Sequence, residues 1–324
     1  MDEPPVSMGQ ELPAEFWSLF HRLREVALEP TLEEPPDVLY HYTDENGLRG
    51  ILGSGHLWAT ALKCLEDKKE ILHPVEVCRD YLRRRRRKES GVRKKFVKAV
   101  YHFGKEVDEI AHCLHNQAAT CLSKEIHVRI QWERYAAGGH GYALGLSKEG
   151  LMGLLWSRLG DPNSQTDINW SFRAMVYDPK KQRQLLGKIL QEIFMDPLFH
   201  DPGSDDVANA ITGAGVYALA LAAAQFKRQQ FVNEHELRIT IANQRELNLA
   251  RTELRVKQRD HVTKGTIEYM EVDLRHPKTG LMPVVEIVAG PEADVDAATE
   301  AVASAEDMFD KKPIVRKMES RQLR

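Results

Sequence analysis

Glu234, Glu236 and Arg238 stand at alternate positions in the run Glu234-His235-Glu236-Leu237-Arg238-Ile239-Thr240-Ile241. In a strand, alternate side chains share a face, so Leu237, Ile239 and Ile241 point to a core. Two carboxylates, a guanidinium and Thr240 then share the other side. Such a row is either a solvated ion-pair face or the floor of a polar cleft. A second candidate is Tyr40-His41-Tyr42-Thr43, where a strand runs directly into a helix. A histidine there lies beside backbone N–H groups able to hold an anion, or it satisfies a buried polar partner as a structural imidazole. The third is Gln131-Trp132-Glu133-Arg134-Tyr135 followed by Gly138-Gly139-His140-Gly141-Tyr142. A dinucleotide-binding glycine loop needs a strand before it and a helix after it; here the strand follows, so that reading fails.

The basic run Arg83-Arg84-Arg85-Arg86-Arg87-Lys88 belongs to a wider region, Arg79 to Lys105, with twelve Lys or Arg against Asp80 and Glu89. It is either a solvated cluster or a patch that contacts the phosphates of RNA or DNA. His112 and His115 lie three apart beside Cys113, but no third nearby ligand completes a set, and no metal is expected.

These residues need a framework. Phe16, Leu19, Phe20, Leu23 and Val26 recur at helical spacing near Ala14 to Ala27, and prolines and acids from Glu29 to Pro36 then break the helix. Strands are expected over Val38 to Tyr42 and His56 to Thr60, around a helix from Asp44 that buries Leu48, Ile51 and Leu52. A helical hairpin follows, its turn at Glu89-Ser90-Gly91 and its second seam Phe96, Val100, Phe103, Val107, Ile110 and Leu114. Ala119 to Ser123, Gly141 to Leu146 and Phe172 to Tyr177 read as strands. Pro179 to Met195 and Ser204 to about Lys227 read as helices, the latter capped by Ser204 with Asp205 and Asp206 in its first turn. Strands return at Glu236 to Ala242, Thr266 to Val272 and Val284 to Val288 before a helix over Asp294 to Met308. Strands in separated groups with helices between them indicate an α+β fold: a small mixed or antiparallel sheet with helices packed around it and an inserted basic hairpin. The expected organisation is an acidic N-terminal segment with its helix and linker (1–37), a main domain (38–310) that includes the hairpin insertion (66–118), and a tail (311–324).

With 324 residues, 42% apolar and 29% charged, and a net charge of -3, the chain has the composition of a globular protein and excludes wholesale disorder. Cys64, Cys78, Cys113 and Cys121 form no CxxC pair, so neither a zinc knuckle nor a redox pair is signalled. The acidic start lacks a secretory pattern. The apolar stretch Ala214 to Ala224 is too short for a bilayer. The expectation is a cytoplasmic protein with no membrane partner.

Together the segments resemble a bacterial family known as domain of unknown function 2971. Leu39 to Thr43, Gly47-Leu48, Ile51-Leu52, Leu57-Trp58-Ala59-Thr60 and Leu65-Glu66-Asp67 with Glu70 are similar to its N-terminal signature. Cys121-Leu122-Ser123, Trp132, Tyr135, Gly141-Tyr142 and Gly145 are similar to its middle one. Phe226-Lys227, Phe231, Glu234, Glu236 and Arg238 are similar to its late one, and Glu286-Ile287-Val288 with Gly290-Pro291 to its close. Glu66 replaces the usual asparagine and Leu237 the usual tryptophan. The layout is also remotely similar to ADP-ribosyltransferase-like proteins. That resemblance implies NAD as substrate, without a metal. His41 would bond the adenosine ribose, and Tyr42, Trp58 or Tyr135 would stack on nicotinamide. Thr43 and Arg238 would complete the pocket. Glu236 would stabilise the charge that develops as the glycosidic bond breaks, and Glu234 would prepare the acceptor or pair with Arg238. The acceptor would be a protein or a nucleic acid. Two rival readings remain: a nucleic-acid-binding or -processing protein working through Arg83 to Arg87, and a non-enzymatic interaction module.

Overall fold

The computed structural model describes residues 12–28, 36–65, 67, 69–106, 114–115, 117–159, 168–243, 256–261 and 265–324. They divide into two compact units: residues 1–29, 72–113 and 178–226 in one, and residues 30–71, 114–177 and 227–324 in the other. The division cuts across the expected boundaries, because the N-terminal helix belongs with the hairpin and two later helices, and residues 311–324 belong with the sheet.

The first unit is helical. The helix Ala14–Leu28 buries Phe16, Leu19, Phe20, Leu23 and Ala27 against the helices Pro179–Met195 and Asp205–Ala223. Phe20 stacks on Tyr217 with ring centres 5.6 Å apart, and Gln225 Nε2 donates to the Ala27 carbonyl at 2.7 Å. Asp178 and Ser204 cap their helices through Lys180 N and Val207 N, as polar residues at helix starts do. By length and composition Asp205–Ala223 could cross a membrane; its apolar residues, among them Ala214, Leu219 and Leu221, are buried. The hairpin consists of the helices Lys69–Lys88 and Gly91–Glu106. Of its second seam, Val107 and Ile110 lie outside the described residues.

The second unit holds the sheet. Its strands are β1 (Val38–Thr43), β2 (His56–Ala61), β3 (Gln117–Ser123), β4 (Tyr142–Ser147), β5 (Ile168–Ala174), β6 (Glu236–Asn243), β7 (Lys257–His261), β8 (Gly265–Asp273), β9 (Val284–Ala289) and β10 (Ile314–Lys317). All pairs are antiparallel except β9 with β10, so the fold is α+β as expected. The fifth expected strand is shifted: it occupies Ile168–Ala174 rather than Phe172 to Tyr177.

One edge of β3 is forked. Ser123 at one end pairs with Tyr40 of β1, while Ala119 and Ala118 at the other pair with Thr60 and Ala61 of β2. The opposite edge pairs with β6 along its length, from Gln117 opposite Ala242 to Ser123 opposite Glu236. Beyond the fork, β1 continues into β4 and β9, and β2 into β8 and β7. The main core covers one sheet face with Leu39, Leu122, Leu144, Leu146, Leu237 and Ile239, joined by Leu48, Ile51 and Leu52. The helix bearing those three, Glu45–Ser54, is capped by Asp44 and stopped by Gly55 at φ 74°, the left-handed backbone that glycine accepts without a Cβ penalty. A smaller cluster, built on Tyr42, Trp132, Ala143 and Val288, covers part of the other face.

Candidate functional site

Antiparallel pairing fixes which residues share a face. Cys121 lies opposite Arg238, and Ser123 opposite Glu236, so these four side chains emerge together on the face away from the main core. The charged side of β6 is not solvated. Glu236, Arg238 and Thr240 are buried, with Glu236 4% exposed. Alternation assigned the face correctly, but the surroundings are supplied by residues outside the strand: Lys227, 9 positions before Glu236, and the distant Glu70 and Arg134.

Those residues complete an ion network. Lys227 lies just past the helical segment and donates to Glu234 at 2.5 Å and also to Glu236. Arg238 Nε donates to Glu236 Oε1 at 2.6 Å, and its Nη2 reaches Glu70. Arg134 Nη1 stands 3.3 Å from Glu234. Three carboxylates thus meet three cations, and five of the six side chains are less than a tenth exposed; Arg134 is the half-exposed one. Burying charge is tolerable only with such pairing. The sheet and the loops hold it: Gln131 Nε2 donates to the Glu234 carbonyl at 2.8 Å, and the Glu236 N–H donates to the Tyr177 hydroxyl at 3.0 Å.

The two glutamates are not strand neighbours, as simple alternation would have them. Glu234 ends a 3₁₀ segment, Gln229–Glu234, and β6 begins at Glu236. Between them His235 takes a left-handed conformation, φ 46°, uncommon for a residue with a side chain. That kink turns Glu234 back so that one ammonium bonds both carboxylates.

Their acidities separate. Burial works upward on Glu236, but Arg238 and Lys227 outweigh it and bring the carboxyl down to about 2. Burial holds Glu234 above the ordinary carboxylate range, with Lys227 only partly offsetting it. Burial works downward on Lys227 and on Arg238, and in both cases Glu236 and its fellow carboxylates reverse the direction. Around this centre stand Tyr135 and Tyr177, whose phenols burial and then the nearby glutamates raise, and Cys121, directly opposite Arg238 on β3. Phe231 gathers three cations over its ring, Arg228 at 4.9 Å, Lys227 at 5.3 Å and Arg134 at 5.8 Å. Arg228 also pairs with Asp67 at 2.7 Å.

His41 is not part of this centre. Tyr40 shares the Glu236 face, since both pair with Ser123; His41, the next residue, points to the other face beside Leu144. Its Nδ1 meets the Cys121 carbonyl at 3.1 Å, so the imidazole closes the fork in β3. Burial lowers its basicity, and the carbonyl only partly restores it. The neutral ring is what a seam between strands requires. Tyr42 is buried edge-on against Trp132, with centroids 5.1 Å apart, and donates to the Glu125 carbonyl. Thr43 ends β1 just before the Asp44 cap. Trp58 is 45% exposed on the β2–β8–β7 wing, between Tyr269 at 4.8 Å and Arg259 at 4.5 Å. Of the three aromatic candidates, Tyr135, 41% exposed, accompanies the carboxylates. Arg83 to Lys88 lie on the hairpin of the helical unit. His112 and Cys113 lie outside the described residues, and among those described no group of three metal-ligating side chains occurs.

Sequence reading did not assign Lys227, Glu70, Arg134 or Tyr177 to the site. Lys227 and Glu70 stood among the residues of the family resemblance and carried no role there. Comparison with known proteins bears on the same residues. Residues 131–239 match the family described as Protein of unknown function (DUF2971). The matched segment begins at Gln131, which holds the Glu234 carbonyl, and ends just after Arg238. It therefore includes Arg134, Lys227, Glu234, Glu236 and Arg238, while Glu70 and Cys121 precede it. The middle and late signatures read from the sequence fall largely within it; the N-terminal signature and the closing strand do not. No curated protein and no solved structure matches the chain.

Proposed function

We propose that the chain is an enzyme that cleaves the nicotinamide glycosidic bond of NAD, with Glu234, rather than Glu236, as the carboxylate that meets the substrate ribose. The observation that carries this reading is one lysine holding two carboxylates whose surroundings push their acidities in opposite directions. Such divergence separates roles within a pair. Glu236 is bound by Lys227 and Arg238 and serves as the fixed anion that orients Lys227. Arg134 meets Glu234 from the half-exposed side, and displacement of that guanidinium opens the carboxylate to a ligand.

In the reaction the bond between C1′ and the pyridinium nitrogen breaks, and its electron pair neutralises the nicotinamide, so the leaving group needs no acid. Positive charge grows on the ribose, and a preorganised carboxylate stabilises it. An acceptor nucleophile, on a protein or a nucleic acid, then forms the new bond at C1′ and loses its proton. Arg134 and Arg228 beside Phe231 are cations for the diphosphate, and Tyr135 offers a ring for the nicotinamide. His41 takes no part.

The test is release of nicotinamide from NAD by the full chain, followed by chromatography. Glu234→Gln is expected to reduce release by about a hundred- to a thousand-fold with the fold retained. Release that persists unchanged in that variant, or wild-type protein that releases none, overturns the assignment.

A further inference from the structure

We infer that the tip of the basic hairpin, within the helical unit, is a binding surface for the phosphate backbone of a nucleic acid. The hairpin has cations in surplus of what its own folding uses. Arg83 pairs with Asp80 at 2.8 Å and Arg85 with Glu89 at 2.6 Å. Arg86 lies over the Tyr101 ring at 4.9 Å, and Arg93 over Phe194 at 5.2 Å. Arg87 and Lys88, in the last turn of Lys69–Lys88, suit the negative end of the helix without being held in a pair among the described residues. These contacts account for four of the cations and leave a second set. Arg84, Arg87, Lys88, Lys94, Lys95 and Lys98 are all exposed, and among the described residues none has a carboxylate partner.

The set falls on two helices that meet at one turn. Arg84 and Lys88 are four apart on the first, and Lys94 and Lys98 four apart on the second, so each pair shares one face of its helix. Buried Leu82, Phe96 and Val100 hold the opposite faces inward. Like charges this dense repel in the free protein, and a polyanion removes that repulsion while its counterions are released. Guanidinium groups add bidentate bonds to phosphate. A lipid surface fits less well: the one large apolar side chain exposed at the tip is Val92, and interfacial helices need an apolar face to insert. The surface reads charge and spacing, so the binding is independent of base sequence.

The experiment measures binding of the full chain to a fluorescent 20-mer, in duplex DNA and single-stranded RNA arms, across salt. If four phosphates are contacted on duplex DNA, affinity falls about a hundredfold between 50 and 200 mM salt. A variant with Arg84, Arg87, Lys88, Lys94, Lys95 and Lys98 all changed to Gln is expected to lose both the binding and the salt slope. The control Lys311→Gln/Lys312→Gln, exposed positions of the other unit, is expected to lose neither. Glutamine sustains a helix nearly as well as lysine. Should the sixfold variant nonetheless fail to fold by circular dichroism, Arg84→Gln/Arg87→Gln and Lys94→Gln/Lys98→Gln are each expected to lower the salt slope by about 2. No binding, binding indifferent to salt, equal affinity in wild type and variant, or tighter binding to vesicles of anionic lipid than to either oligonucleotide overturns the proposal.

Discussion

Replacing Glu236 by Gln keeps the shape of the side chain and removes the charge that Lys227 and Arg238 share. The carboxyl is held at about 2 in the folded chain against an ordinary value of 4.5. The folded state therefore binds fewer protons than the unfolded one between those limits, and the contribution to stability is present above pH 4.5 and lost as pH falls through 2. The shift corresponds to about 3 kcal/mol at neutral pH and roughly half of that at pH 3. A second route gives a similar figure: breaking a buried pair costs about 3–5 kcal/mol, and the lower end applies because Glu234 still faces Lys227 and Glu70 still faces Arg238. Urea unfolding followed by tryptophan fluorescence, with buried Trp132 as a reporter, is expected to show that loss at pH 7 and a shrinking gap towards pH 3. Glu234→Gln serves as the contrast. Its carboxyl is raised, so ionisation there costs stability at neutral pH, and its removal is expected to be near neutral. A Glu236→Gln variant as stable as wild type at pH 7, or a gap unchanged at pH 3, would refute the account of the network as Glu236-centred.

Two further outcomes follow from the sheet. His41 has a folded basicity below its ordinary value of 6.5, so the unfolded chain binds its proton first and stability falls as pH drops below about 6.5; His41→Gln is expected to flatten that slope in urea midpoints measured from pH 7 to pH 5. A Cβ at Gly141 would run into the Thr43 carbonyl oxygen and the Ala136 backbone, neither of which can rotate aside, so Gly141→Ala is expected to cost about 3 kcal/mol or more, measured as a fall in urea midpoint.

Much of the framework was legible in the sequence for a simple reason: period and punctuation are local. Pro179 to Met195, the Asp44 and Ser204 caps and the Glu236 strand start all follow from spacing and end residues. β7 and β10 escaped because Lys257–His261 and Ile314–Lys317 show no clean apolar alternation; they are edge strands that take their place from β8 and β9. The site was half legible. Leu237, Ile239 and Ile241 revealed the core face, and so the face of Glu236 and Arg238. Whether that second face met water depended on Lys227, which folds back over the strand from outside its alternation, and on Glu70, 168 positions from Arg238, and the pattern within the strand announces neither. Convergence of Glu234 with Glu236 required the left-handed His235, which no propensity announces. The separation of His41 from Glu236 required the register that sets Tyr40 and Glu236 both opposite Ser123, a property of strand pairing rather than of either strand.

The fork in β3 has a mechanical consequence. A sheet whose middle strand serves two neighbours in succession along one edge is a pair of wings on a common spine. Between the wings stand the His41 ring on the Cys121 carbonyl and the Thr120 hydroxyl on the Trp58 carbonyl. Two side-chain bonds are far easier to exchange for water than a row of amides. What joins the wings along that line is therefore side chains and the core they share, Leu39 and Leu144 of one with Leu57 and Val272 of the other, and the line runs beside the strand that sets Cys121 opposite Arg238.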